Sequence, residues 1–251
     1  MDPIALRPRK ATEIIDAAIE VYRRNPIHFL LLAAVVHVPW LIVQILVLGP
    51  RTDEEALWPS VLISLGTILT TYLLSGFVVH MASELYLGRE TDAFETMRAV
   101  APRLPAIFIA SVLQGIAIVL GLILFLFPAV WVTAVLFAVL PVVVLEHRGV
   151  FAAFDRSQKL SERLKTHILS AIGLLVIIRV IVGGGSTILS FLIPMRELRF
   201  VALTAAAMLM YPLFGIAATL IYYDVRIRKE GFDIEMMAQA PSAPLAAQRP
   251  V

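Results

Sequence analysis

The sequence predicts an all-α integral membrane protein, with six transmembrane helices arranged as three parallel repeats of an amphipathic helix plus a two-span hairpin. Three observations carry this prediction. Hydrophobic residues make up 59% of the 251 and charged residues 16%, with a mean hydropathy of +0.87, whereas a soluble domain is about one-quarter charged. The run from Pro105 to Leu145 contains no charge, and it is about twice the roughly 20 apolar residues that one crossing takes. Basic residues also cluster on alternate sides of the apolar runs. Backbone amides in lipid must be satisfied internally, which leaves helices or a closed barrel. The apolar runs are long and do not alternate, so they are helices rather than barrel strands.

Taken in order, the first element is amphipathic. Ala11, Ile14, Ile15, Ala18, Ile19 and Tyr22 form one apolar stripe, while Glu13, Asp16, Glu20, Arg23 and Arg24 lie mostly off it. The charged start is too long for a cleaved signal peptide and is expected to stay. Span one covers 27–48 and holds His37 beside Pro39 and Trp40. Span two covers 57–82. Its Ser60, Ser64, Thr67, Thr71 and Ser75 share one face, read as close helix packing or, alternatively, a hydrophilic lining. His80 and Glu84 stand one turn apart near its end. A second amphipathic stretch, 93–105, leads to spans three and four at 105–126 and 128–145, joined by a turn near Phe127-Pro128, with a kink expected at Pro141. A third amphipathic stretch, 153–165, precedes span five at 167–194, the longest of the six. Gly183-Gly184-Gly185 lies inside it and either breaks the helix, allows tilt or admits a close neighbour. Span six, 200–223, carries Pro212, another expected kink.

The amphipathic stretches align without gaps. Ile15 matches Phe94 and Phe154; Asp16 matches Glu95 and Asp155; Val21 matches Val100 and Leu160; Arg24 matches Arg103 and Arg163. Three repeats follow, at about 10–88, 89–147 and 148–235, related by an axis along the membrane normal. They form one membrane domain, 1–235, followed by an Ala- and Pro-rich tail, 236–251, expected to be disordered in the cytoplasm. The repeated helix either lies at the headgroup level or packs under the bundle as a collar.

Charge sets the orientation. Arg7, Arg9, Lys10, Arg23, Arg24, Arg89, Arg98, Arg103, Arg148, Arg156, Lys159, Arg163, Lys165, Arg226, Arg228, Lys229 and Arg249 fall on one side. Only Arg51, Arg196 and Arg199 fall on the other, and Arg179 lies within span five. Cytoplasmic loops carry the excess of Lys and Arg, so both termini are expected in the cytoplasm. Reading 105–145 as a single crossing would destroy this asymmetry.

The segment Tyr222-Tyr223-Asp224-Val225-Arg226-Ile227-Arg228-Lys229-Glu230-Gly231-Phe232-Asp233 resembles the terminal signature of the bacterial glycerophosphoryl diester phosphodiesterase membrane domain. Pro141 to Glu146 with Gly149-Val150, and Ile15 to Ala18 with Tyr22 to Asn25, resemble it too. The resemblance covers roughly 10–235. It implies a bacterial cytoplasmic-membrane protein, and it marks Tyr222, Tyr223, Asp224, Arg226, Arg228, Glu230 and Gly231 as signature residues. In that family the membrane domain can precede a catalytic domain; this chain ends at Val251 and leaves no room for one. His147-Arg148-Gly149 matches the triplet that opens the family's catalytic motif, but no carboxylate follows before Asp155. A diester-cleaving metal site needs several carboxylates, so the triplet is read as a turn.

Intramembrane ionisable groups are the better candidates, because each is costly unless paired or hydrated. They are Arg179, His37, His80 and Glu84. Arg179 is expected to face the bundle interior and pair there, or to meet a lipid phosphate. The histidines are read as interfacial, with proton relay as the sharper alternative. Cysteine is absent, which removes thiol chemistry and cysteine–metal sites. No phosphate loop, serine-nucleophile turn or metal-ligand cluster occurs; no catalytic, metal or cofactor site is expected. The basic pI reflects the loops and does not indicate nucleic acid. The expected function is non-catalytic: organising membrane lipids or a protein partner at the cytoplasmic face. The alternative is a transporter or lipid-moving protein with a path near Arg179.

Overall fold

The computed structural model describes residues 7–48, 57–232 and 234. Arg51, Arg249 and the 236–251 tail lie outside them. Among the described residues the chain is helical, without strands. Its elements are α1 (Ala11–Arg24), α2 (Pro26–Leu48), α3 (Leu57–Tyr86), α4 (Ala93–Val100), α5 (Leu104–Leu124), α6 (Leu126–Val135), α7 (Val139–Leu145), α8 (Val150–Ser161), α9 (Lys165–Ser190) and α10 (Arg196–Glu230), with a 3-10 turn at Ala101–Arg103. Six stretches are long and apolar enough to cross a membrane, and the chain is a multi-pass membrane protein.

Short helices start each third of the chain and pack beneath the spans. In α1 the stripe is buried by protein: Ile14, Ile15, Ala17, Ala18 and Val21 are at most 4% exposed, and the helix contacts α9 and α10. Of the two placements open for this helix, the described structure has it under the bundle. Its start is tied by Glu13, which accepts from the Lys10 backbone N–H at 2.8 Å and from Arg7 at 2.9 Å, satisfying one of the unpaired donors of a helix N-terminus. Asp92 caps α4 by accepting from the Glu95 N–H at 2.8 Å. The aligned positions 14, 93 and 153 are all buried, as are 21, 100 and 160. The aligned trio 15, 94 and 154 does not share an environment: Ile15 is buried, while Phe94, in the first turn of the shorter α4, is 80% exposed.

The hairpin at 105–145 turns on one residue. Phe125 (φ 174, extended) separates α5 from α6, slightly ahead of the expected Phe127-Pro128, and Pro128 sits in the first turn of α6, where a missing N–H costs nothing. Gly121 is what allows so tight a reversal: a Cβ there would stand 2.9 Å from the Ala129 Cα. The fourth span is broken rather than kinked. α6 ends at Val135 and α7 begins at Val139. Proline cannot accept the carbonyl four residues earlier, so Pro141 occupies the third position of a new helix instead of the middle of an old one.

Three further boundaries differ from expectation. The fifth span runs unbroken from Lys165 to Ser190 through the glycine triplet, and a Cβ at Gly183, Gly184 or Gly185 would meet nothing within 4 Å. These glycines neither break the helix nor admit a close neighbour. Pro212 likewise lies within an unbroken helix. The longest helix is the sixth span, α10, with 35 residues, or about 52 Å at 1.5 Å per residue against a core of about 30 Å. It does not stop near 223 but continues to Glu230, where Gly231 (φ 64) adopts the left-handed conformation and returns its N–H to Ile227 O at 3.1 Å.

Candidate functional site

The extension of α10 gathers the signature residues into a polar clasp at the end of the bundle that carries both described termini. Asp224 is its centre. The carboxylate is 2% exposed and accepts three hydrogen bonds: from the Arg9 backbone N–H at 2.6 Å, His167 Nε2 at 2.7 Å and Arg228 Nε at 2.8 Å. Arg228 also donates to Arg9 O at 2.7 Å. One buried charge thereby ties the N-terminal segment, the start of α9 and α10 together. A buried carboxylate is tolerable only when so provided for.

A second node lies beside it. Glu146, at the end of α7, accepts from Tyr222 Oη at 2.9 Å, Arg148 Nε at 2.7 Å and Arg156 Nε at 3.0 Å. Arg156, on α8, also donates to Glu230 Oε2 at 2.8 Å, and Arg226 reaches the same oxygen at 3.0 Å. The Glu230 hydrogen bond first, and then Glu146, raise the pKa of Arg156 above its ordinary value against the opposing cost of burial. Arg226 lies over the Phe232 ring at 4.2 Å, a favourable cation–π distance. Tyr223 shares a 2.6 Å hydrogen bond with Ser83 and stacks on Tyr86 with centroids 5.4 Å apart. Every signature side chain is thus engaged in holding helices to one another. His147-Arg148-Gly149 forms the connection from α7 to α8, with His147 in the left-handed region at φ 58.

A third polar node was not foreseen from the sequence. The break in the fourth span frees backbone groups, and side chains from other helices take them up. Ser157 Oγ, on α8, donates to Val135 O at 2.7 Å and accepts from the Ala138 N–H at 3.1 Å. Gln114, on α5, donates to Leu136 O at 3.1 Å. A serine on the buried face of an amphipathic helix was the available signal, and it becomes meaningful only once the break is known.

The intramembrane candidates do not assemble into one centre. His37 is 3% exposed, with Nδ1 3.2 Å from Ala33 O and its ring stacked on Tyr211 at 4.7 Å; Nε2 is buried without a hydrogen-bond partner among the described residues. His80 Nδ1 is buried likewise, while Glu84 pairs with Arg89 at 3.2 Å rather than with His80. The expectation that Arg179 faces the interior is corrected. It is exposed on the bundle surface, its guanidinium 5.7 Å from the ring centres of Tyr211 and Phe214. The cause is that α9 meets α10 through its cytoplasmic half, where Ile168, Ala171 and Leu175 are buried. The serine–threonine face of α3 mostly donates to its own carbonyls four residues back, and Thr67 also accepts from Trp40 Nε1 at 2.9 Å, which favours the packing reading.

Three cavities lie along the spans. A cleft of about 600 Å³ between α9 and α10 includes Arg179, Gly183, Gly184 and Ala207. A chamber of about 300 Å³ lies where α3, α5, α6, α7, α9 and α10 meet, with Tyr72, Gln114 and Thr133 in its wall. An apolar groove of about 500 Å³ runs between α3 and α5. Arg179 borders the first and not the chamber. No protein-family model matches the chain, and no solved structure matches it.

Proposed function

We propose that this is a non-catalytic bacterial cytoplasmic-membrane protein, with both termini in the cytoplasm, whose collar of three amphipathic helices forms a fixed platform for a protein partner or for lipids. The carrying observation is that α1, α4 and α8 spend their apolar faces on the bundle, so their outer faces are free to be read. On α1 that outer face presents Asp16, Ile19, Glu20 and Arg23; Phe94 and Phe151 project from the first turns of α4 and α8, about four-fifths exposed. The repeat and the likeness to the phosphodiesterase membrane domain belong to the same proposal, supported by the shared buried positions and the quoted residues. A photo-crosslinking residue at Glu20, Phe94 or Phe151 should capture one reproducible partner or lipid class in cells, whereas the same probe at lipid-facing Leu122 should not. A reproducible blank from correctly inserted protein would sink the platform reading.

A second reading, movement of a solute or lipid past Arg179, has the open cleft beside that residue in its favour. Arg179→Leu should then abolish transport in reconstituted vesicles while the protein still inserts. Equal movement with both forms, or none with either across a broad panel, refutes it.

A further inference from the structure

Arg179 stands 14 residues past Lys165 and 11 short of Ser190 on α9, about 21 Å and about 16 Å at 1.5 Å per residue. That places its backbone near the middle of a hydrocarbon core about 30 Å thick, where a charge is costly unless compensated. No carboxylate compensates it: Arg179 makes no ion pair or hydrogen bond with another described residue. Its neighbours are two ring faces, which attract a cation but leave the five N–H donors of the guanidinium unfilled.

The space beside it has the form of an entry. The cleft is about 600 Å³ and its wall contains no acidic residue. It extends along α9 from Arg179 to Thr187, eight residues or about 12 Å of helix, towards the end of the bundle remote from the termini. The glycines on that face keep it open, since a Cβ at Gly183 or Gly184 would meet nothing within 4 Å.

We infer that the cleft binds the phosphate group of a phospholipid, drawn below the headgroup level onto Arg179 from the leaflet remote from the termini. Phosphate is the anion that a bilayer supplies at that boundary, and the planar guanidinium fork matches two of its oxygens. The site is distinct from the collar and does not rest on the platform reading. It also requires no movement of the lipid across the membrane.

The test is titration of the full chain in detergent with phosphatidylglycerol, read by native mass spectrometry. Competition arms use a diacylglycerol with the same chains, and inorganic phosphate. The expected result is a bound phospholipid that neither competitor displaces. Arg179→Leu should weaken it roughly tenfold or more, the loss of charge-assisted hydrogen bonds, and Arg179→Lys less. Gly184→Leu keeps the charge but fills the cleft and should weaken binding as well; Arg98→Ser, on α4, should leave it unchanged. Should Arg179→Leu not fold, the Lys and Gly184 variants decide. Unchanged binding in Gly184→Leu and in the Arg179 variants overturns the proposal. So does displacement by diacylglycerol, which would mean that only the chains are held. Displacement by inorganic phosphate also overturns it, since that would make the cleft a site for the free ion.

Discussion

Asp224→Asn should loosen the whole cytoplasmic end of the bundle. Oδ2 accepts from both His167 Nε2 and Arg228 Nε, and Oδ1 from the Arg9 backbone N–H. An asparagine retains one acceptor oxygen and turns its other atom into a donor, so either the Arg9 bond or the pair of side-chain bonds is lost. Charge-assisted hydrogen bonds contribute about 1.5–3 kcal/mol each. With Asp224 only 2% exposed, water cannot replace them. Keeping the Arg9 bond therefore costs roughly 3–6 kcal/mol, within the range for breaking a buried ion pair. At about 2–4 °C per kcal/mol for a chain of this size, the melting temperature should fall by the order of 10 °C. The assay is thermal unfolding of the purified protein in one detergent, with Asp155→Asn as the control. Asp155 is 64% exposed and pairs only with Lys159, so its loss should fall within about 0.5 kcal/mol of zero. If Asp224→Asn melts with the control, the clasp does not hold the bundle and the reasoning fails.

Other predictions concern the remaining polar contacts and the tight turn. Ser157→Ala leaves Val135 O and the Ala138 N–H without their partner inside the membrane domain; a loss of roughly 1–3 kcal/mol per unsatisfied group is expected, measured by the same melt, and an unchanged melt would show the break is satisfied otherwise. Gly121→Leu sets a side chain against the Ala129 backbone and should cost about 1–3 kcal/mol or more from overpacking; Gly115→Leu, whose Cβ would meet nothing within 4 Å, should be near neutral. Glu13 has its pKa lowered, first by the Lys10 backbone N–H and then by Arg7. Its contribution to α1 is therefore present above the ordinary carboxylate value and is lost as pH falls through the lowered one. Hydrogen exchange at the first amides of α1 should quicken on acidification, and Glu13→Gln should remove that dependence.

The six spans were legible because length, hydropathy and charge each report on the same thing, transfer of a segment into lipid. The positions of the helix ends were less so. Charges past residue 223 suggested an exit from the membrane, and the exit is real, but a helix continues in water when its sides are packed, as α10 does against α1. The signature residues were found by resemblance, while their partners were not: Asp224 and the Arg9 backbone are 215 residues apart, and no local pattern encodes that pairing. Ser157 shows the same limit in reverse. Its residue type announces little, and its task is set by Pro141 at a distance in sequence. Arg179 was picked out correctly as a costly residue, but which way it faces depends on where along α9 the neighbouring helix makes contact.

The gap in the fourth span has a consequence for biogenesis. Its free backbone groups are taken up by Ser157, 19 residues after Ala138. At about 5–20 residues per second, the ribosome needs roughly 1–4 s to supply that serine after the gap has been made. During that interval the middle hairpin carries unmet polar groups that lipid cannot solvate, so it must wait inside the insertion machinery or in contact with water. The nascent chain thus leaves the middle unit unfinished until the third begins.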